Sequence, residues 1–218
     1  MSLQTEPRPR AEPRRTPAGD SAGPAREGLG LLVVTGPPWA RAAADGVVGL
    51  GVLSLLAATY FDGVAVAVMS LVVLGLVLPR VAGVTAALQA ASGAVLLGAA
   101  WPSVLGGYER LAWLDVVVHL LGTGVLAAVA VEVLLRTDML RVLPGRRGAV
   151  GRVLVTLAVG LALSVLWEMG EWFGHTYVDE AINVGYDDTV GDLATGGLGS
   201  LLVGLALSRS SAPTSGGR

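Results

Sequence analysis

The chain has 218 residues, of which 53% are hydrophobic and 15% charged, with 31 glycines, no cysteine and a formal charge of −2. Its mean hydropathy of +0.66 is far above that of a water-soluble domain and places it among polytopic α-helical membrane proteins. The missing cysteine excludes disulfides and thiolate chemistry. The apolar runs are continuous rather than alternating, which excludes a β-barrel. No nucleic-acid partner is expected; the expected partner is the lipid bilayer.

Residues 1–41 are rich in Pro, Arg, Glu and Gly, a composition that buries too little apolar surface to fold, and read as a disordered cytoplasmic tail. GLGLLVV, ended by Pro37-Pro38, is too short for a signal-peptide core with its cleavage site. Residues 42–207 form a six-helix membrane domain, and 208–218 read as a second flexible tail. The spans are expected near 42–60, 63–79, 82–101, 111–135, 153–174 and 188–207. Each approaches the roughly 20 residues that cross about 30 Å of hydrocarbon.

Arginine placement sets the orientation. With the N-terminus inside, fourteen of the fifteen arginines fall on the cytoplasmic side, and only Arg110 falls outside. Aromatic rings favour the headgroup level. Tyr60, Trp101, Tyr108, Trp113, Trp167 and Trp172 all fall at outer ends or outer loops. Both termini are therefore expected in the cytoplasm, and the Ala-, Gly- and Arg-rich composition suits a bacterial plasma (inner) membrane.

Spans one to three carry little polar chemistry: Gln89 and Ser92 stand apart from any charge. Span four opens YERLAWLDVVVHLLGTG, with Asp115 and His119 four apart and so on one face. Span five ends WEMGEWFGH, with Glu168, Glu171 and His175 on one stripe. Span six opens GYDDTVGDLATGG, with Asp188 and Asp192 four apart and Asp187 beside them. Three helices thus bring acids and His to one depth near the outer surface, within residues 108–195.

Carboxylates inside a membrane are costly and face a bundle interior or a wet cavity. Held together, they cannot all ionise without compensation. Either they hold protons, or Arg110 and a protonated His assist, or a cation sits among them. Asp115, His119, Glu168, Glu171, Asp188 and Asp192 are the candidate ligands of a divalent ion such as Zn²⁺, Mn²⁺ or Mg²⁺. The bland readings are a dipole-complementing Asp115, snorkelling glutamates and a solvated Asp187–Asp188 pair at the start of span six. Glu132 and Arg136, four apart at an inner end, read as a local ion pair. Gly196, Ser200 and Gly204 form a stripe that permits close helix approach.

The order D-x-x-x-H, then W-E-x-x-E-W, then G-Y-D-D-T-x-x-D resembles the uncharacterised bacterial inner-membrane proteins of the YjdF type, and more distantly the VanZ-like proteins, over about residues 100–207. VanZ-like proteins carry an Asn after the final acidic motif, where this chain has Thr195-Gly196. The resemblance implies the same polar positions and, through the VanZ-like proteins, a role at the cell envelope.

Three functions follow. The first is a metal-dependent envelope enzyme acting on a lipid or lipid-linked headgroup, with Glu171 or Glu168 as general base and Arg110 binding a phosphate. No HExxH or GxSxG signature accompanies it. The second is an ion or proton-coupled transporter; the third is a non-catalytic ligand-binding protein. Neither the substrate nor the oligomeric state is legible.

Overall fold

A computed structural model describes residues 34–180, 182 and 184–210. The stretches read as outermost tail, 1–33 and 211–218, lie outside the described residues. Six helices follow one another: α1 Pro38–Ala58, α2 Gly63–Val81, α3 Ala86–Leu105, α4 Trp113–Arg136, α5 Gly145–Tyr177 and α6 Tyr186–Ser210. Each is long and apolar enough to cross a membrane. Leucines such as Leu53 (63% exposed) and Leu71 (68%) stand on the outer faces. Only hydrocarbon covers so much apolar surface, and helices keep their backbone hydrogen bonds satisfied within it.

Local chemistry sets the ends. Pro38 occupies the first turn of α1, where its missing N–H costs nothing. Asp62 caps α2 by accepting the Ala65 N–H at 2.8 Å. α3 closes on Gly106 at φ 64°, a left-handed position that suits glycine.

Several ends depart from the expected spans; α3 runs from Ala86 to Leu105 rather than over 82–101. α1 starts at Pro38, within the stretch expected as tail. α5 starts at Gly145, eight residues before the expected 153, and its 33 residues extend about 50 Å, well beyond the hydrocarbon core. GRRGAVGR has too little apolar character to register as a span. Its helix exposes Arg146 and Arg147 and turns Gly148 inward. A Cβ at Gly148 would overlap the Leu143 carbonyl.

The helices form two linked groups. α1, α2 and α3 pack around a cluster that includes Met69, Val72, Leu76 and Leu97. α4, α5 and α6 pack tightly on one another, and α3 joins the groups by lying against α4. The second group has a core of small and hydroxyl residues, with Thr156, Ser164 and Ser200 fully buried. The expected stripe on α6 lies at these contacts. A side chain at Gly196 would strike Ser164 and Thr123, Ser200 faces Gly160, and Gly204 meets Val153 of α5. Small residues let backbones approach where lipid supplies no hydrophobic force between helices.

Glu132 does more than pair with Arg136. Its carboxylate receives the Arg136 guanidinium at 2.7 Å. It also accepts the Thr85 N–H at 2.9 Å and the Thr85 hydroxyl at 3.1 Å. Thr85 is the N-cap of α3 and makes no side-chain cap of its own. A carboxylate from α4 therefore caps α3, satisfying an orphan donor and favoured by the helix dipole.

Candidate functional site

His119 sits one turn inside Asp115 on α4, and its side chain is 3% exposed. Close packing of α6 brings Asp192 to it, and packing of α5 brings Glu168. His119 Nε2 lies 3.6 Å from Asp115 Oδ1 and 3.9 Å from Asp192 Oδ2. On the other edge of the ring, Nδ1 lies 3.9 Å from Glu168 Oε1. The imidazole is thus the hub of a contact among three helices.

These separations are too long for direct hydrogen bonds. They suit donors sharing an ion: with ligand distances of roughly 2.0–2.2 Å, two donors stand within roughly 4.4 Å of each other. Two sets of three, Asp115–His119–Asp192 and His119–Glu168–Glu171, each have ligand atoms within 4.8 Å of one another. The buried atoms Glu168 Oε1 and Asp192 Oδ2 have no hydrogen-bond partner, although their side chains are only 10% and 5% exposed. Buried carboxylate oxygens normally find a donor, so each such orphan calls for an unseen partner.

Five of the six expected ligands therefore meet. Asp188, half-buried and one turn outside Asp192, is not in either set of three. Asp187 is exposed, as a solvated residue at the start of α6 would be. Arg110 is exposed in the α3–α4 connection. His175 shares the stripe of Glu168 and Glu171 but turns away, its Nδ1 lying 2.7 Å from the Ile182 carbonyl oxygen. It holds the α5–α6 connection.

Two further residues shape the site. Trp167 donates from Nε1 to Glu171 Oε1 at 2.9 Å. Its ring also meets His119 edge-on, with centroids 6.1 Å apart. Tyr108 donates its hydroxyl to the Ala99 carbonyl at 2.9 Å. Burial, and then the Asp115 and Glu171 carboxylates, push its phenol up to about 12. In the sequence both aromatics register only as belt residues, because nothing local shows which way their polar atoms point.

Below the cluster the bundle closes. Thr123 and Ser164 hydroxyls stand 3.4 Å apart, buried, and Gly196 packs against both. Deeper still, a Cβ at Gly124 would lie 2.9 Å from the Gly199 carbonyl oxygen. The acidic cluster is therefore bounded on this side by closely packed helices.

Six apolar helices with such a cluster at one end define a multi-pass α-helical membrane protein. The chain belongs to the family described as "Predicted membrane protein (DUF2238)", whose model matches residues 44–212. This is the family of the YjdF-type proteins that its motifs resemble. No curated protein and no solved structure matches the chain.

Proposed function

We propose that this protein binds one divalent cation at the outer face of a bacterial plasma membrane, through Asp115, His119 and Asp192. The observation that carries this reading is the pair of buried, unpartnered oxygens, Asp192 Oδ2 and Glu168 Oε1, on opposite edges of one imidazole. A neutral imidazole has one lone pair and one N–H. His119 Nε2, Asp115 and Asp192 would hold the cation. Nδ1–H would then face Glu168, 3.9 Å away, and a small approach on filling the site would let that carboxylate orient the ring and raise its basicity. Asp115, with a side chain 32% exposed, leaves that edge open to water.

A bound cation supplies a polarised water for hydrolysis. Glu171, held at one oxygen by Trp167, would serve as general base. Glu168 is the other candidate base. The substrate is a lipid or lipid-linked headgroup met from the outer leaflet, with Arg110 available to a phosphate. The distant likeness to VanZ-like proteins supports a role at the envelope. The close packing below Thr123 and Ser164 speaks against a conduit for ions or protons.

The test is metal analysis of the purified chain after dialysis against Zn²⁺, Mn²⁺ or Mg²⁺, comparing wild type with Glu168→Ala and Asp192→Ala. The expected outcome is retention by wild type, loss in Asp192→Ala and weakened retention in Glu168→Ala. Absence of any bound divalent ion under every loading condition overturns the reading.

A further inference from the structure

The connection between α4 and α5 lies at the end of the bundle away from the acidic cluster, the cytoplasmic end in the orientation that the arginines set. Its stretch TDMLRVLPGRRGAVGR, residues 137–152, carries four arginines and one acid, Asp138. Arg141, Arg146 and Arg147 are exposed. Among the described residues no carboxylate forms an ion pair with any of these three. Other arginines at this end are occupied: Arg136 pairs with Glu132, Arg80 pairs with Asp45, and Arg152 donates from Nη1 to the Leu207 carbonyl at 3.3 Å. Three uncompensated guanidinium groups thus stand in one short stretch.

Apolar side chains are interleaved with that charge. Met139 is 77% exposed and Leu143 67%, on either side of Arg141 in the chain. Gly148 approaches so closely that a Cβ there would overlap the Leu143 carbonyl, so the connection lies back against the first turns of α5. Along the helix, Arg147, Val150 and Leu154 follow at spacings of three and four, and all are exposed, which makes one stripe. Arg147 stands about 10 Å along the axis from Leu154. Leu154 meets hydrocarbon, so a guanidinium at the other end of the stripe reaches the depth at which a phospholipid carries its phosphate. A soluble polyanion would use the charge and leave Met139 and Leu143 bare in water. A bilayer surface takes both.

We infer that residues 139–150 form a docking surface for the anionic phospholipids of the leaflet at this end. Arg141, Arg146 and Arg147 contact the headgroup phosphates, Met139 and Leu143 insert beside the upper acyl segments, and Val150 and Leu154 carry the chains of the same lipids along α5. The apolar half of the surface accepts any phospholipid. The arginine half prefers a net negative headgroup, because exposed guanidinium groups are drawn to a negative surface potential. This surface shares no residue with the cation site and stands independently of that reading.

The test uses the full chain in nanodiscs of phosphatidylcholine and phosphatidylglycerol, with a trace phospholipid bearing a photoactivatable diazirine in its headgroup, in an anionic and a zwitterionic form. Crosslinked positions are mapped by mass spectrometry. Residues 139–150 are expected to take several-fold more of the anionic probe than of the zwitterionic one, while residues 106–111 at the opposite end take both alike. The triple variant Arg141→Gln, Arg146→Gln, Arg147→Gln is expected to abolish the preference, and Met139→Ser with Leu143→Ser to lower labelling by both probes. High salt is expected to erode the preference in wild type, since exposed charges are screened; this readout holds even where the triple variant fails to fold. Equal labelling by the two probes in wild type, or a preference that survives high salt or the triple variant, overturns the inference. In discs of phosphatidylcholine alone, a fluorescent oligonucleotide is expected not to bind. Oligonucleotide binding that the triple variant abolishes, without any probe preference in the mixed discs, assigns the patch to a soluble polyanion and overturns the lipid surface.

Discussion

Gly160 of α5 faces Ser200 of α6 so closely that a methyl group at 160 would overlap the Ser200 hydroxyl. This contact fixes how near α5 stands to α6, and hence whether Glu168 and Asp192 reach the same imidazole. Overpacking such a contact costs about 1–3 kcal/mol. Gly160→Val is expected to lower the melting temperature in detergent and to weaken cation retention with it. Ser200→Ala is expected to be nearly silent, because that hydroxyl only donates back to the Gly196 carbonyl. A Gly160→Val chain as stable as wild type contradicts the packing.

The cap that α4 lends to α3 is open to a separate test. Removing Glu132 leaves the Thr85 N–H without its acceptor and Arg136 without its partner. Losing a cap costs about 0.5–2 kcal/mol. Glu132→Ala is expected to destabilise by that much, Arg136→Ala by clearly less, since its side chain is partly exposed. Equal effects of the two substitutions would show that the ion pair, not the cap, matters.

Tyr108 reports on the charge of the site from outside the spans. Its phenol is pushed up to about 12 by burial and by the Asp115 and Glu171 carboxylates, against about 10 for a free phenol. The folded state therefore holds the Tyr108 proton more tightly than the unfolded chain. Its contribution to stability is complete below about pH 10 and is lost as pH rises towards about 12. Ultraviolet titration is expected to show a late tyrosinate step that Tyr108→Phe removes. An unchanged titration curve in that variant contradicts the placement of Tyr108.

Much of this architecture is legible in the sequence, and the reason is the membrane. A bilayer demands long apolar runs, so all six spans stand out. It also penalises stray charge, so Asp115, His119, Glu168, Glu171 and Asp192 are conspicuous. Helical spacing puts each pair on a face, and topology puts the three faces at one depth. The stripe Gly196–Ser200–Gly204 likewise announces close packing.

What stays hidden depends on contacts between distant segments. Glu132 pairs with Arg136 within one turn, which spacing reveals, but its bond to Thr85 spans 47 positions. Trp167 sits at belt level, yet its N–H points to Glu171. His175 shares a stripe with Glu168 and Glu171, yet the α5–α6 connection takes it. The start of α5 is missed because helix formation at Gly145–Arg152 follows Pro144 and local packing, while hydropathy responds only to lipid contact.

The hub geometry makes the roles of Asp192 and Glu168 separable. A ligand contacts the ion directly, whereas an acceptor of the imidazole N–H acts through the ring and typically costs about 10–100-fold in affinity when removed. Glu168→Gln is expected to weaken divalent-cation binding within that range, with the number of sites unchanged. A complete loss of binding in Glu168→Gln would make Glu168 itself a ligand and move the ion to the Nδ1 edge.

The most direct measurement is the stoichiometry of divalent cation on the purified full chain, read by calorimetry and elemental analysis for wild type and Asp192→Asn. Asp192→Asn keeps the size of the side chain and removes its charge. The geometry around His119 predicts one ion per wild-type chain and none on Asp192→Asn at the same free concentration. Wild type without an ion, or Asp192→Asn binding as tightly as wild type, would contradict it.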